Sequence, residues 1–285
     1  MGHLKTIAKG LVPYGLVTVI KWYKEFSRLG ISKFHSFKYA LNPDKVKEIG
    51  ENRLSLLPDG SLENLDCIVD VGANIGAWSL ATLSFSKPKK LIAIEPSPWL
   101  HSTLEKNLKI FPHAEIYKVA VGAEKGTTQF NVHSSSGFSS ILQIKEDMYN
   151  YYYSKKPKQV DTVTVPIETL DELLADIAEI SLLKIDVQGY ERFVLQGAKE
   201  TLKKTRHIFL EVMFTSHYVN DLLFPELHNQ LVNLGFFLQN YSHPVRSVDE
   251  KPRVLWLDAI YANENLEPKN IHKDIPVTAT QLDRT

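Results

Sequence analysis

The stretch Cys67-Ile-Val-Asp-Val-Gly-Ala-Asn-Ile-Gly76 constrains the fold more than any other part of the chain. An apolar run of strand length stops at a glycine turn, and a helical pattern opens behind it. A run that is apolar on both alternating faces belongs to a strand covered on both sides, as in a parallel sheet. A second such run, Leu91-Ile-Ala-Ile, ends in Glu95. In an open α/β sheet, ligands bind outside the carboxyl ends of the strands. A carboxylate about 20 residues beyond the glycine turn is placed to accept hydrogen bonds from ribose hydroxyls. An adenosine-containing cofactor is therefore expected.

The glycine spacing narrows the choice. Dinucleotide folds use G-x-G-x-x-G, which brings the backbone close to a pyrophosphate. Here three residues separate Gly72 from Gly76, and the G-x-G pair is missing. Asp70 stands two residues before the first glycine, where it would repel a pyrophosphate. It suits a cationic ligand, and S-adenosyl-L-methionine carries an ammonium and a sulfonium. Gly72 is expected to let the backbone pass close to the cofactor. Asp70 is placed near its methionine moiety, directly or through water, and Glu95 on its ribose. An NAD-dependent oxidoreductase is the rival reading, since it would share the ribose-binding acid.

The chain has 285 residues, 44% of them hydrophobic, enough for one large α/β domain with an extension. Lys plus Arg equals Asp plus Glu at 33 each, which makes no case for nucleic acid. The single cysteine, Cys67, lies in a core run and excludes a disulfide framework and a thiolate zinc site. This fits a reducing cytoplasm. Residues 10–22 are apolar and flanked by lysines, but too short to span a bilayer. Two readings stand for them. One is packing on the domain or on a second copy in a homo-oligomer. The other is weak contact with a membrane surface, at its inner face.

Residues 1–50 read as a helical, aromatic-rich extension, 51–263 as the catalytic domain and 264–285 as a polar tail. Within the domain, strands are expected at about 67–71, 91–95, 115–119, 182–187 and 207–213. Helices are expected over 76–86, 96–110, 170–177, from Tyr190 onward and 222–234. Additional strands are expected over 127–132 and 162–167, around the loop His133–Ser140. Two closing strands, 236–239 and 254–262, have little between them and suggest an antiparallel end. The fold class is α/β: a Rossmann-like seven-stranded methyltransferase sheet, mostly parallel, with an antiparallel last strand.

A second dense site is Leu183-Lys-Ile-Asp-Val-Gln-Gly-Tyr-Glu191. Lys184 and Asp186 are two apart and project to one face of a regular strand. Glu211 ends the apolar run of the next strand. Asp186 and Glu211 are therefore expected to approach each other at the ligand edge. Two nearby carboxylates give either a general base of raised pKa or an oxygen-rich Mg²⁺ site. Lys184 is placed to orient Asp186 or to pair with a neighbouring carboxylate. His133, His217 and His243 are reserve bases. The tyrosines at 149 and 151–153 read equally as an acceptor lid or as a packing surface.

The motifs Asp70-Val-Gly-Ala-Asn-Ile-Gly76, Glu95-Pro96, Ala120-Val-Gly122, Leu183–Glu191, Leu195-Gln-Gly-Ala198 and Asp258-Ala-Ile-Tyr261 resemble those of the FkbM family of S-adenosylmethionine-dependent methyltransferases. The resemblance covers roughly 65–262. It implies O-methylation of a hydroxyl on a sugar, glycan or related small molecule. It also implies that Asp70, Gly72, Asn74, Gly76, Glu95, Pro96, Ala120 and Val121 bind the cofactor, the last two near its adenine. Ser139 and Phe138 are expected near the same cleft or the acceptor pocket. One departure stands out. Many family members carry Glu where this chain has Gln188, which can hydrogen-bond but cannot act as a base. That keeps a non-catalytic cofactor-fold module as an alternative. An RNA methyltransferase is disfavoured by the neutral charge.

Overall fold

The computed structural model describes residues 53–57, 65–109, 111–150, 157–248 and 252–266. The expected extension over 1–50 with its segment 10–22, the tyrosines at 151–153 and the tail beyond 266 lie outside the described residues. No helix among the described residues is long and apolar enough to cross a membrane.

Two sheets build the domain. The larger contains β1 (Cys67–Val71), β2 (Lys90–Ile94), β3 (Ala114–Tyr117), β7 (Ile180–Ile185), β8 (Thr205–Met213), β9 (Phe236–Tyr241), β10 (Val245–Arg246) and β11 (Val254–Asn263). Its order is β3-β2-β1-β7-β8-β11, with β9 and β10 following each other along the far edge of β11. Counted by rank, the sheet is seven strands wide. The contacts from β3 through β8 are parallel, and β11 runs antiparallel to both of its neighbours. That is the arrangement expected from the sequence, with the order reversing between β1 and β7.

The strands form here because both of their faces are covered. Every residue of β1 and β7 is buried. One face packs Val69, Val71, Ile92, Ile94, Leu183, Ile185 and Ile208 against the helices after β6 and β7. The other packs Ile68, Ala93, Leu182 and Phe209 against Trp78, Leu80 and Leu104 of α1 (Ala77–Phe85) and α2 (Pro98–Leu108). Leu54 and Leu57, ahead of the sheet, join this second layer. Burial of such side chains contributes roughly 1.5–3 kcal/mol each.

The smaller sheet has the order β4-β6-β5, from β4 (Ala120–Val121), β5 (Gly126–His133) and β6 (Gln159–Glu168). The third strand ends at Tyr117, two residues short of its expected end, and Ala120 and Val121 after it pair with Ile167 and Glu168 in the second sheet. Two expected helices are shorter than their periodicity suggests. The segment from Leu170 gives only α3 (Leu170–Leu173). The segment after Tyr190 divides into α4 (Glu191–Gln196) and α5 (Lys199–Lys203). Gly197 sits at this break, where a Cβ would stand 2.1 Å from the Gly122 carbonyl oxygen. Close backbone packing ends the helix there. The last helix is α6 (Phe224–Asn233), matching its expected place.

Candidate active site

The end of β1 is a left-handed turn locked to its neighbours. Gly72 has φ +75°, Asn74 φ +53° and Gly76 φ +82°. Gly72 and Ala73 both donate their amides to the Ile94 carbonyl, at 3.0 Å. The glycine at position 72 answers to a nearer neighbour than a cofactor: a Cβ there would stand 1.9 Å from the Asp186 carbonyl oxygen. Gly76 caps α1, and a Cβ on it would press on Leu104 at 3.0 Å, so its smallness serves helix packing. Asn74 accepts the Ser136 hydroxyl at 3.1 Å through Oδ1 and donates its own amide to Glu95 Oε2 at 2.7 Å.

A cleft opens at this edge of the sheet. It holds about 650 Å³ of space between protein atoms, part of it open to solvent. Gly72, Asn74, Glu95, Pro96, Ala120, Val121 and Asp186 line it, with Phe130, Ser136, Ser139, Gln188 and Tyr190. Eight of the expected residues, Ser139 included, are thus brought together. Asp70 and Gly76 are not among the lining residues. Asp70 is fully buried beneath the turn, one oxygen accepting Ser79 Oγ at 2.6 Å and the other Lys184 Nζ at 2.8 Å. Its place is structural support of the turn, reached by a cofactor only through its neighbours. Phe138 is not in the lining either, whereas Ser139 is.

Glu95 is buried and closes the turn from beyond β2. Burial pushes its carboxyl up to about 7, against the pull of the Ser97 and Asn74 amides that it accepts at 2.8 and 2.7 Å. A carboxylate offers about four acceptor positions. Two are used here, which leaves capacity for a ribose diol.

Beyond β7, Asp186 keeps a 26% exposed side chain. Its Oδ1 accepts the Gln188 amide at 2.8 Å, and its Oδ2 lies 3.7 Å from Lys184 Nζ. Lys184 is buried. Burial works to strip its proton, but the charges of Asp70 and Asp186 outweigh this and hold its pKa above the ordinary lysine value. It also donates to the Gly72 carbonyl at 3.1 Å, tying β7 to the turn. Lys184 therefore does both things expected of it: it pairs with Asp70 and stands beside Asp186.

Glu211 lies on β8 directly opposite Asp258 of β11. Burial, then the charges of Asp186 and Asp258, hold its pKa well above the usual carboxylate range. Asp258 is itself pushed up to about 6 by burial, against the pull of Arg53, whose Nε lies 3.0 Å away. Glu211 thus feels Asp186, as expected, but it does not line the cleft. Among the described residues no group of three or more His, Cys, Asp or Glu side chains is placed to hold a metal ion. The expected Mg²⁺ site at Asp186 and Glu211 gains no support among the described residues. The reserve histidines are also displaced. His133 and His217 are buried, with burial drawing the pKa of His217 down to about 4, and His243 is exposed. None of the three lines the cleft.

Tyr218 and Ser136 are functional candidates that no sequence pattern singles out. Tyr218 is buried and donates its hydroxyl to Gln188 Oε1 at 2.8 Å. Tyr218 lies in a loop of ordinary composition, and Ser136 is one of five serines in the stretch 134–140. Gln188, which can hydrogen-bond but cannot act as a base, has a φ of +57°, one of three positive values among the described non-glycine residues. Such strain persists where the surroundings over-determine it, commonly at functional sites.

The methyltransferase FkbM domain model matches residues 70–238. The chain is 28% identical over 164 residues to the 2-O-methyltransferase NoeI of Sinorhizobium fredii, covering 54% of this chain and 66% of that protein. It is 26% identical over 142 residues to Methyltransferase 1 of Beauveria bassiana, covering 46% of this chain and 57% of that protein. It thus spans just under two thirds, or less, of these relatives. Among solved structures, Methyltransferase FkbM from Methylobacillus flagellatus aligns over 89% of this chain and 63% of that one, with 17% identity and a TM-score of 0.45. With the motifs in order along the matched span, the chain belongs to the FkbM family of S-adenosylmethionine-dependent methyltransferases.

Proposed function

We propose that the protein transfers a methyl group from S-adenosylmethionine to a hydroxyl of a sugar, glycan or related small molecule. The observation that carries this reading is the Asp186 carboxylate, partly exposed on the cleft and within reach of both Gln188 and Lys184. The donor set of the cleft fits the cofactor. Val119, Val121, Phe130 and Ile141 offer an apolar wall for a flat base. Glu95 offers acceptors for the ribose, and Asn74 offers polar groups for the charged amino-acid end, with Asp186 left for the transfer step. Val119 follows β3, Glu95 follows β2, and Asn74 and Asp186 follow β1 and β7, an order that supports reading base, ribose and amino acid along the cleft.

Bound S-adenosylmethionine supplies an electrophilic methyl group. The chain's own part is to hold an acceptor in line and to take its proton. Asp186 is assigned the proton, because it is the carboxylate of β7 that reaches the cleft. Glu211 is held toward its protonated form and so is less able to accept another. Lys184 keeps Asp186 oriented and its charge compensated. Hydroxyl rather than amine or carbon acceptors are supported by the similarity to a protein named as a 2-O-methyltransferase.

Calorimetric titration with S-adenosylhomocysteine, with NAD in parallel, tests the cofactor. Transfer of labelled methyl groups to a panel of glycans and small polyols, with and without Mg²⁺, tests the acceptor. Binding of S-adenosylhomocysteine alone, followed by label in an alkali-stable ether, is the expected result. Binding of NAD alone would overturn the reading. Label found only in amines or esters would remove its hydroxyl part.

A further inference from the structure

Gln188 is held from every side. Its backbone is left-handed at φ +57°, and Gly189 after it is left-handed at +92°. A Cβ on Gly189 would press on the Tyr218 ring at 2.9–3.0 Å and on its Cβ at 3.1 Å, so the turn is packed closely against this side chain. The Gln188 carbonyl accepts Ser140 Oγ at 2.8 Å. Its side-chain oxygen accepts the Tyr218 hydroxyl at 2.8 Å, and its side-chain nitrogen donates to Asp186 Oδ1 at 2.8 Å. The chain of bonds has only one consistent sense. An ionised Asp186 can only accept, so the NH₂ must face it. The amide oxygen then faces Tyr218, which must donate.

We propose that Tyr218 and Gln188 are positioning residues of the methyl-transfer site: an uncharged relay that fixes the direction of the Asp186 carboxylate against the reacting sulfonium. This rests on the assignment of Asp186 to the transfer step. A glutamate at 188 would set a second carboxyl against Asp186, and two such carboxyls do not readily ionise together. The glutamine avoids that conflict. It holds the carboxylate by a donor that does not titrate, and Tyr218 prevents the amide from turning its oxygen toward Asp186. The relay thereby gives an active role to the position where this chain departs from the family pattern.

The test compares two ligands that differ in charge at sulfur. S-adenosylmethionine is cationic there and S-adenosylhomocysteine is neutral. An oriented carboxylate near sulfur favours the first over the second, whereas general loosening of the cleft weakens both alike. Affinities for both are measured by calorimetry for the wild type, Asp186→Asn, Tyr218→Phe and Gln188→Ala, with thermal melts to confirm folding. The wild-type preference for the cationic ligand is expected to fall roughly tenfold in Asp186→Asn and roughly threefold in each relay variant, as weakened Coulomb attraction at short range implies. If Tyr218→Phe fails to fold, Gln188→Ala carries the test.

Failure of the wild type to bind either ligand would overturn the cofactor reading itself. An unchanged ratio in Asp186→Asn would remove Asp186 from the sulfonium and the relay with it. A changed ratio in Asp186→Asn with unchanged ratios in both relay variants would overturn the relay alone.

Discussion

Lys184 Nζ lies 2.8 Å from Asp70 Oδ1, and both side chains are sealed from solvent between β1 and β7. The register sets the two residues directly opposite each other. The pair is satisfied all round: Ser79 takes the second oxygen of Asp70, and the Val71 and Gly72 carbonyls take further protons of Lys184. It is this ion pair that anchors the turn beneath the cleft.

Removing one partner would strand the other charge in the core. Lys184→Met is expected to destabilise the fold by about 3–5 kcal/mol. Asp70→Asn with Lys184→Met is expected to recover part of that loss, because no buried charge is left. Urea denaturation of the single and double variants measures both, and equal losses would show that the pair does not act as a unit.

Position 72 of the turn tolerates no side chain. Gly72→Ala would force a Cβ to within 1.9 Å of a backbone oxygen, at a φ of +75°. Neither β1 nor β7 can yield, since both are central strands. Loss of soluble protein, or of at least about 3 kcal/mol of stability, is expected. Gly126→Ala is the control, because nothing lies within 4 Å of its added Cβ. Its melting temperature is expected to stay at the wild-type value.

Cofactor affinity should depend on pH through Glu95. Burial raises its carboxyl to about 7. The ionised form is the stronger acceptor for ribose hydroxyls. S-adenosylhomocysteine is therefore expected to bind more tightly as pH rises from about 6 to about 8, and Glu95→Gln should flatten that rise while weakening binding overall. Calorimetry across the range decides it, and a persisting slope in the variant would assign the effect to another group.

Stability should run the opposite way. Glu191 accepts the Val187 and Gly189 amides, yet burial raises its carboxyl to about 7 from 4.5. A raised acid favours the neutral form in the folded state. Its contribution is fully present below the unfolded value and is lost as pH climbs through the folded one. Glu95 and Asp258, raised to about 7 and about 6, act in the same direction. The wild type is expected to melt at a higher temperature at about pH 5.5 than at about pH 8, with a smaller difference in Glu191→Gln. Thermal melts that rise with pH would refute this.

The strands were legible because two covered faces leave a plain mark on a sequence: Cys67–Val71, Leu91–Ile94 and Leu182–Ile185 are apolar except for Asp70 and Lys184, which pair with each other. Glu95 and Asp186 could be placed because they interrupt such runs at the ligand edge. Other features depend on partners distant in sequence. The departure of Ala120–Val121 to a second sheet is decided by Ile167, and the break at Gly197 by the carbonyl of Gly122. Asp70 looked like a ligand-facing acid because nothing local reveals that Lys184 will lie opposite it. Tyr218 stands 30 residues beyond Gln188, in a loop with no periodic pattern to mark it.

The contact between Gly72 and the carbonyl of Asp186 also limits how this enzyme can diversify. The two strand ends are held together as one rigid part, so neither can be retuned without the other. New acceptors must be accommodated from outside that part, by the loop around Ser136 and the loop around Tyr218. Those two segments are where an engineer seeking altered specificity should build a library, leaving the fused core as a fixed cartridge.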